Sequence, residues 1–386
     1  MLKVTMISNF INHHQMPFCE EMYKRLGDNF CFIQTEPMEQ ERADMGWAVD
    51  EESIPYLKLL YKDERECKRL INMCDMLLVG WQEREDLILP RIQAGKLTVR
   101  ISERIYREGQ WRFISPRGLI RKYKEHIRFR KKKNVFLLCN GAYVASDFHL
   151  IRSYPGRMFK FGYFPKFREL DWSKKPPMEK SIEIVWAGRF IELKHPEYVV
   201  RLAADLVDMG FKFRIHFVGS GPMEDMLKLR VKEGKLEDYV YFYGFLKPED
   251  VRELMDRCHI HLFTSNYLEG WGAVVNEGMN SGCAEVVCEQ VGAAPFLIRH
   301  GVNGLLYEAG YENFCEQVLS LMEDTPLIEE LGRRAYETIA ETWNASCAAD
   351  RILELYENYT TGKVVPPRQG PLSIAKVIKP LIEQNE

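Results

Sequence analysis

In the second half of the sequence, charged and small residues sit at the ends of short apolar runs, where side chains can do chemistry. A strand-like run over 182–186 leads into Ala187-Gly188-Arg189-Phe190-Ile191-Glu192-Leu193-Lys194-His195-Pro196. Arg189 one residue past a glycine, and Lys194 beside a helix start, supply two cations and free helix amides. Those are the groups that bind a diphosphate, although taken alone they fit a solvated loop better. The run from Thr264 to Met279 is richer: a strand ends, Gly270 and Gly272 let backbone amides approach an anion, and a helix starts near Ala273. Glu269 lies in the turn. Glu277, eight positions on, is placed to accept two hydrogen bonds from a ribose diol. Its neighbours Val274, Val275 and Met279 are apolar, so a purely solvated glutamate fits poorly there. Val218-Gly219-Ser220-Gly221-Pro222 suggests a dinucleotide loop, but the G-x-G-x-x-G pattern fails at Glu224, and a tight turn before a helix explains it better.

The elements that position these residues follow from periodicity. Short apolar or β-branched runs alternate with longer amphipathic stretches, the pattern of a parallel sheet covered by helices. Strands are predicted over 3–7, 30–34, 76–79, 97–101 and 135–138, then 182–186, 212–218, 240–243, 260–264, 284–288 and 304–307. Helices are predicted over 17–26, 64–73, 86–93 and 116–131, then 197–209, 223–232, 248–257 and 273–281. The charged, proline-containing stretch 171–178 reads as a linker. This gives a first domain over 1–170, a second over 179–362, and an extension over 363–386 with a helix over 372–383. Doubly wound units of this kind take ligands at the carboxyl ends of their strands. The loop Ser8-Asn9-Phe10-Ile11-Asn12-His13-His14-Gln15 is such an end, and His13, with His14, is there either a ligand contact or a solvent-exposed pair.

The motif order Gly-Arg-x4-Lys, Val-Gly-x-Gly-Pro, Tyr-Gly-Phe-Leu, Glu-x7-Glu and His300-Gly301-Val302-Asn303-Gly304-Leu305-Leu306 resembles family-4 retaining glycosyltransferases. The resemblance is specific over about 182–310 and only architectural over the first 170 residues. It implies a GT-B architecture, two doubly wound Rossmann-like α/β domains facing across a cleft, and a nucleotide-diphosphate-sugar donor. It assigns Arg189 and Lys194 to the diphosphate and leaving nucleotide, Glu277 to the ribose hydroxyls, and the amides of Gly270, Trp271 and Gly272 to the phosphate. Tyr243-Gly244-Phe245 matches the segment whose backbone meets the base, with Gly244 and Phe245 as contacts, and Glu269 faces the donor sugar. It also implies same-face attack with no metal or other cofactor, consistent with the lack of an Asp-x-Asp motif. Two departures stand out. The family's Gly-Gly-x-Pro-Glu loop reads Gly292-Ala293-Ala294-Pro295-Phe296, so a contact made by the glutamate is in doubt. After the strand over 97–101, Ser102-Glu103-Arg104 stands where relatives often carry a histidine near the donor sugar, leaving Glu103 as a polar contact there. A hydrolase or epimerase on the same fold, and a non-catalytic nucleotide-sugar-binding protein, are the competing readings.

Composition bounds the rest. The 386 residues carry 53 basic and 56 acidic side chains, a net charge of −3, so a dedicated nucleic-acid binder is disfavoured. The balance hides an asymmetry: residues 100–133 hold thirteen Lys/Arg against Glu103, Glu108 and Glu125, a segment charge of +10. With Leu119, Ile120, Tyr123, Ile127 and Phe129 interleaved, Arg121, Lys122, Lys124, Arg128, Arg130 and Lys131 form a basic face. That face suits an anionic membrane surface or a lipid-linked or glycan acceptor, or else is a solvated face covering the first sheet. The ten cysteines form no C-x-x-C pair, which argues against zinc and for core thiols in a reducing compartment. Neither a signal peptide nor an apolar run of ~18 residues is evident. The expectation is a cytoplasmic protein, peripheral on the inner membrane face if the basic segment binds lipid.

Overall fold

The computed structural model describes residues 1–39 and 49–379. They form two compact units, Met1–Lys166 with Trp343–Lys379, and Phe167–Thr342. The first runs β1 (Val4–Ser8), α1 (Met16–Leu26), β2 (Phe30–Gln34), β3 (Leu57–Leu59), α2 (Glu64–Met73), β4 (Met76–Val79), α3 (Glu85–Gln93), β5 (Leu97–Ser102), α4 (Pro116–Glu125), β6 (Val135–Asn140), α5 (Val144–Leu150) and β7 (Met158–Phe161). The second runs β8 (Ile182–Ala187), α6 (Pro196–Asp208), β9 (Phe213–Val218), α7 (Glu224–Glu233), β10 (Val240–Phe242), α8 (Pro248–Met255), β11 (Ile260–Phe263), α9 (Ala273–Asn280), β12 (Ala284–Cys288), α10 (Ala294–Leu297), β13 (Leu305–Tyr307), α11 (Tyr311–Glu323) and α12 (Thr325–Glu341). The chain then returns to the first unit as α13 (Ala345–Thr360).

Both sheets are parallel, with strand orders 3-2-1-4-5-6-7 and 10-9-8-11-12-13. In β1, β6 and β8 every residue is buried, as expected of strands covered by helices on both faces. Each large apolar side chain so buried contributes roughly 1.5–3 kcal/mol. In each sheet the order reverses once, between β1 and β4 and between β8 and β11. At such a switch point the crossover helices diverge to opposite faces and leave a crevice at the carboxyl ends. The loops after β1, β8 and β11, singled out by their chemistry, lie at these two points.

Each of the eleven expected strands forms, with ends shifted by a residue or two, and β3 and β7 are added. β3 is a three-residue edge strand with no fully buried position, too short and too exposed to show an apolar run. The helix expected over 116–131 stops at Glu125, where the 3₁₀ turn Ile127–Phe129 takes over.

The expected domain limits are corrected at the C-terminal end. α13 is capped by Asn344, whose Oδ1 accepts from the Cys347 amide at 2.8 Å. It packs on α1, where the Arg25 guanidinium reaches Asp350 at 2.6 Å and the Ser346 hydroxyl at 2.8 Å. The second unit therefore does not extend to 362. Nor does a helix form over 372–379; residues 380–383 of that expected helix lie outside the described residues. Instead Leu372 N donates to Lys160 O at 2.7 Å and Lys160 N to Ser373 O at 2.8 Å, and Ile374 bridges Phe159 antiparallel. The exposed edge of β7 needed hydrogen-bond partners, and that need outweighed the local helical pattern.

Candidate functional site

The loops after β8 and β11 are tied together by backbone and side-chain hydrogen bonds. The Asn266 amide donates to Leu193 O at 2.9 Å, the Thr264 hydroxyl to Lys194 O at 2.5 Å, and the Trp186 indole to the Thr264 hydroxyl at 2.9 Å. This frame holds the Lys194 ammonium 2.5 Å from Glu269 Oε2 and 5.1 Å from the centre of the Phe263 ring. Both partners of the pair are mostly shielded, with side chains 14% and 19% exposed. Arg189 is exposed and enters no ion pair among the described residues. The loop after β8 thus presents one cation paired with a carboxylate and a second, exposed one, an arrangement able to receive an anionic ligand.

Gly272 caps α9 in the left-handed region, with φ of +86°, and a Cβ there would lie 2.8 Å from the Phe263 ring. Only glycine lets the helix start this close to β11. Trp271 is buried, its indole donating to Asn276 Oδ1 at 2.8 Å. Glu277, on the first turns of α9, is half-buried. Burial pushes its carboxyl above the ordinary range, while the Arg252 guanidinium opposes that shift. Arg252 in turn donates to Asn280 Oδ1, Asn280 Nδ2 donates to Arg168 O at 2.8 Å, and Ser281 donates to Asp256 at 2.8 Å. The far end of the helix is thereby fixed. Beneath it, His261 and Glu285 form a fully buried pair at 2.7 Å, and a Cβ at Gly278 would overlap Glu285.

The glycines at 219 and 221 serve backbone packing, as the tight-turn reading expects. A Cβ on Gly219 would overlap the Gly188 carbonyl, and one on Gly221 would press on Phe190 O. The loops instead exchange hydrogen bonds, Gly188 N to Val218 O at 2.9 Å, Phe190 N to Ser220 O at 2.9 Å and Gly219 N to Gly244 O at 2.8 Å. Gly244, with φ of +66°, turns the chain so that Phe245 stands 60% exposed. Sequence reasoning missed the chain behind this turn. Tyr243 Oη lies 2.9 Å from His216 Nδ1, and His216 Nε2 lies 2.8 Å from Glu183. At the departure from the family loop, Phe296 is buried and its ring lies 6.3 Å from that of Trp271. An apolar contact occupies that position instead of a carboxylate.

In the first unit the structure brings His13, His14, Tyr163 and Glu103 together. The two imidazoles are 3.9 Å apart between centroids, His14 lies 5.6 Å from Tyr163, and Tyr163 Oη donates to Glu103 Oε1 at 2.9 Å. Burial, then the neighbouring His13, drives the His14 imidazole down to about 3, so it is neutral at physiological pH. The loop carrying Glu103 is pinned by Asp147, wholly buried on α5. Asp147 accepts from the Tyr106 amide and the Gln110 side chain at 2.9 Å each and pairs with Arg104 at 3.2 Å. Neither Asp147 nor Tyr163 carries a sequence signal beyond being polar within an apolar run.

The basic face needs one correction. Arg121, Lys124, Arg128, Arg130 and Lys131 are exposed, but Lys122 is only 6% exposed, and burial lowers its ammonium pKa. It sits on the stripe of α4 that faces the core, 3.8 Å from Glu125. Among the described residues no group of three or more His, Cys, Asp or Glu side chains is placed to hold a metal ion, and no helix is long and apolar enough to cross a membrane.

Two parallel α/β units with charged groups at their switch points define a GT-B fold. Its likeness to the solved structure of Anabaena HepE in complex with UDP has a TM-score of 0.68 at 14% identity, covering 93% of this chain and 100% of that one. Residues 168–338 match the family model described as Glycosyl transferases group 1. Its sequence is 29% identical over 175 residues to N-acetyl-alpha-D-glucosaminyl L-malate synthase of Bacillus anthracis, covering 45% of this chain and 44% of that protein. It is likewise 29% identical over 138 residues to the amylovoran biosynthesis glycosyltransferase AmsK of Erwinia amylovora, covering 34% of each. The chain thus spans less than half the length of these curated relatives.

Proposed function

We propose that this protein is a metal-independent, retaining family-4 glycosyltransferase. It moves a sugar from a nucleoside-diphosphate donor to a glycan or lipid-linked acceptor in cell-surface polysaccharide assembly. The observation that carries the reading is the shielded Lys194–Glu269 pair at 2.5 Å beside the exposed Arg189 and the start of α9. In this reading the donor diphosphate draws on Lys194, Arg189 and the amides of Gly270, Trp271 and Gly272, which neutralise charge that in other enzymes a cation would meet. Glu277 accepts from the ribose hydroxyls, and its raised pKa marks a carboxylate that gains by receiving such donors. The backbone at Gly244 and Phe245 meets the base.

Glu269 faces the donor sugar, where it keeps Lys194 oriented and accepts from a sugar hydroxyl. The anomeric carbon–oxygen bond to the β-phosphate breaks while the acceptor oxygen bonds that carbon on the same face. The departing phosphate oxygen takes the acceptor proton, so no side chain need be consumed. The cluster of His13 and Glu103 contacts the acceptor, with neutral His14 and Tyr163 holding it in place. The relative named for amylovoran biosynthesis supports the polysaccharide context.

The test is a thermal-shift panel of nucleoside diphosphates and their sugars. Uridine or guanosine diphosphate is expected to raise the melting temperature by several degrees at saturating concentration. A flat response to every nucleoside diphosphate would sink the proposal.

A further inference from the structure

Helix α4 is amphipathic in the wrong sense for a helix that merely covers a sheet. Such a helix turns its apolar stripe to the core and its charges to water. Here the inward stripe is Gly118, Lys122 and Glu125, while Leu119, Ile120 and Tyr123 face out, with Ile120 58% and Tyr123 56% exposed. The turn before it, Gln110–Ile114, adds Trp111 at 68% and Ile114 at 78% exposed. At about 100° per residue, the exposed apolar stripe lies roughly 120° around the helix from the Arg117, Arg121 and Lys124 stripe. The two stripes therefore run side by side along the outer surface.

The segment is anchored from behind. Asp147 holds Arg104, Tyr106 and Gln110, His126 Nδ1 lies 2.8 Å from the Tyr154 hydroxyl, and Phe129 is buried. Trp111 is set over Gly109, whose φ of +132° and missing Cβ leave room for the indole. Exposure of five large apolar side chains within thirteen positions therefore comes from a fixed scaffold.

From 107 to 133 the chain carries eleven Lys/Arg against Glu108 and Glu125, and Glu108 is already paired with Arg112. A second copy of this chain would bring like charge against like charge across a two-fold axis. An anionic bilayer complements both stripes at once: guanidinium and ammonium groups meet lipid phosphates while the apolar residues enter the acyl boundary. We propose that Gln110–Ile114 and α4 form a membrane-docking wedge for anionic phospholipid, with Trp111, Ile114, Ile120 and Tyr123 inserted and Arg117, Arg121 and Lys124 at the headgroups. This goes beyond the glycosyl-transfer reading and does not depend on it.

The experiment is co-sedimentation of the full chain with phosphatidylcholine vesicles, with and without phosphatidylglycerol, beside analytical ultracentrifugation. Wild-type protein is expected to bind only the anionic vesicles, less so at high salt. Replacing Arg117→Gln, Arg121→Gln and Lys124→Gln together lowers the partition coefficient about a hundredfold at low salt. Trp111→Ser with Ile120→Ser lowers it about tenfold with every charge retained. Brominated acyl chains quench tryptophan emission, and Trp111→Phe removes that quenching. All these side chains are exposed, so melting temperatures should hold, as should any shift given by a nucleoside diphosphate. Absence of anionic-vesicle binding overturns the proposal. So does binding indifferent to the apolar pair, which means simple electrostatic adsorption, and so does a dimer that the apolar pair dissolves.

Discussion

The strand-end clusters of the two units use opposite strategies. In the second unit, after β8 and β11, opposite charges are held together, Lys194 on Glu269 at 2.5 Å with Arg189 exposed nearby. In the first, after β1 and β5, the imidazolium is suppressed: burial drives His14 neutral, while Glu103 accepts a hydrogen bond from the phenol of Tyr163. An ion pair at a loop end can exchange one anionic partner for another, whereas a neutral imidazole beside a phenol can only orient a ligand and exclude water. In the proposed reading the paired cluster receives the charged diphosphate and the other a sugar-like, hydroxyl-bearing group.

The sharpest way to break this contrast is Lys194→Ala. It leaves Glu269 without its cation and, in the proposed reading, takes an ammonium from the diphosphate, so transfer should fall about 100- to 1,000-fold. The melting temperature of the unliganded protein should fall as well, because the shielded Glu269 carboxylate is left without its cation, so rates are compared at a temperature where both proteins are folded. Initial-rate measurements with the donor found by the thermal panel decide it. A fall under threefold would mean the charged cluster is not where the anion goes.

Next comes a change that should damage the frame and leave the charges alone. Gly219→Ala adds a Cβ that overlaps the Gly188 carbonyl at a residue with φ of +126°. Strain and loop displacement together should cost about 3 kcal/mol, read as a lower denaturation midpoint. Gly27→Ala, at a positive φ with open space around it, is the control and should cost about 1 kcal/mol.

The first unit's neutrality sets a smaller effect with a definite sign. His14 titrates near 6.5 when unfolded and near 3 when folded, and His126 is also lowered by burial. Between these values the unfolded chain binds more protons, so stability rises with pH and is lost on acidification from pH 6.5 downward. His14 alone should lower stability by about 2 kcal/mol between pH 7 and pH 5, and His14→Gln should show a slope shallower by that amount. Chemical denaturation at a series of pH values measures it, and an unchanged slope in the variant would place the protonation elsewhere.

The contrast also explains what could be read from the sequence. The second unit's chemistry lies in short contiguous runs at strand ends, so Arg189, Lys194, Glu269 and Glu277 carry their spacing with them, and the eleven expected strands were legible as apolar runs. The first unit assembles His13, Glu103 and Tyr163 from three loops across 150 positions, with buried Asp147 pinning the loop that carries Glu103. No local pattern records such a meeting. The return of α13 to the first unit was illegible for the same reason, since Arg25 and Asp350 meet 325 residues apart. The outward apolar stripe of α4 was hidden because periodicity reports that a helix has two faces, not which one is turned in.

The smallest effect tests whether burial acts alike in both units. Burial favours the neutral form of His14 and of Glu277, yet the linkage has opposite sign, because Glu277 has its pKa raised and the histidine has its pKa lowered. For Glu277 the folded state binds more protons just above pH 4.5, so stability falls as pH rises through that window, and the cost persists at neutral pH. Glu277→Gln removes a charge that the site disfavours, so the unliganded protein should melt at the same temperature or slightly higher. The same change removes one acceptor of a charge-assisted pair, so nucleoside diphosphate affinity should fall about tenfold. A melting temperature that drops together with the affinity would mean that Glu277 stabilises α9 through Arg252 and that its distance from the ligand is larger than proposed.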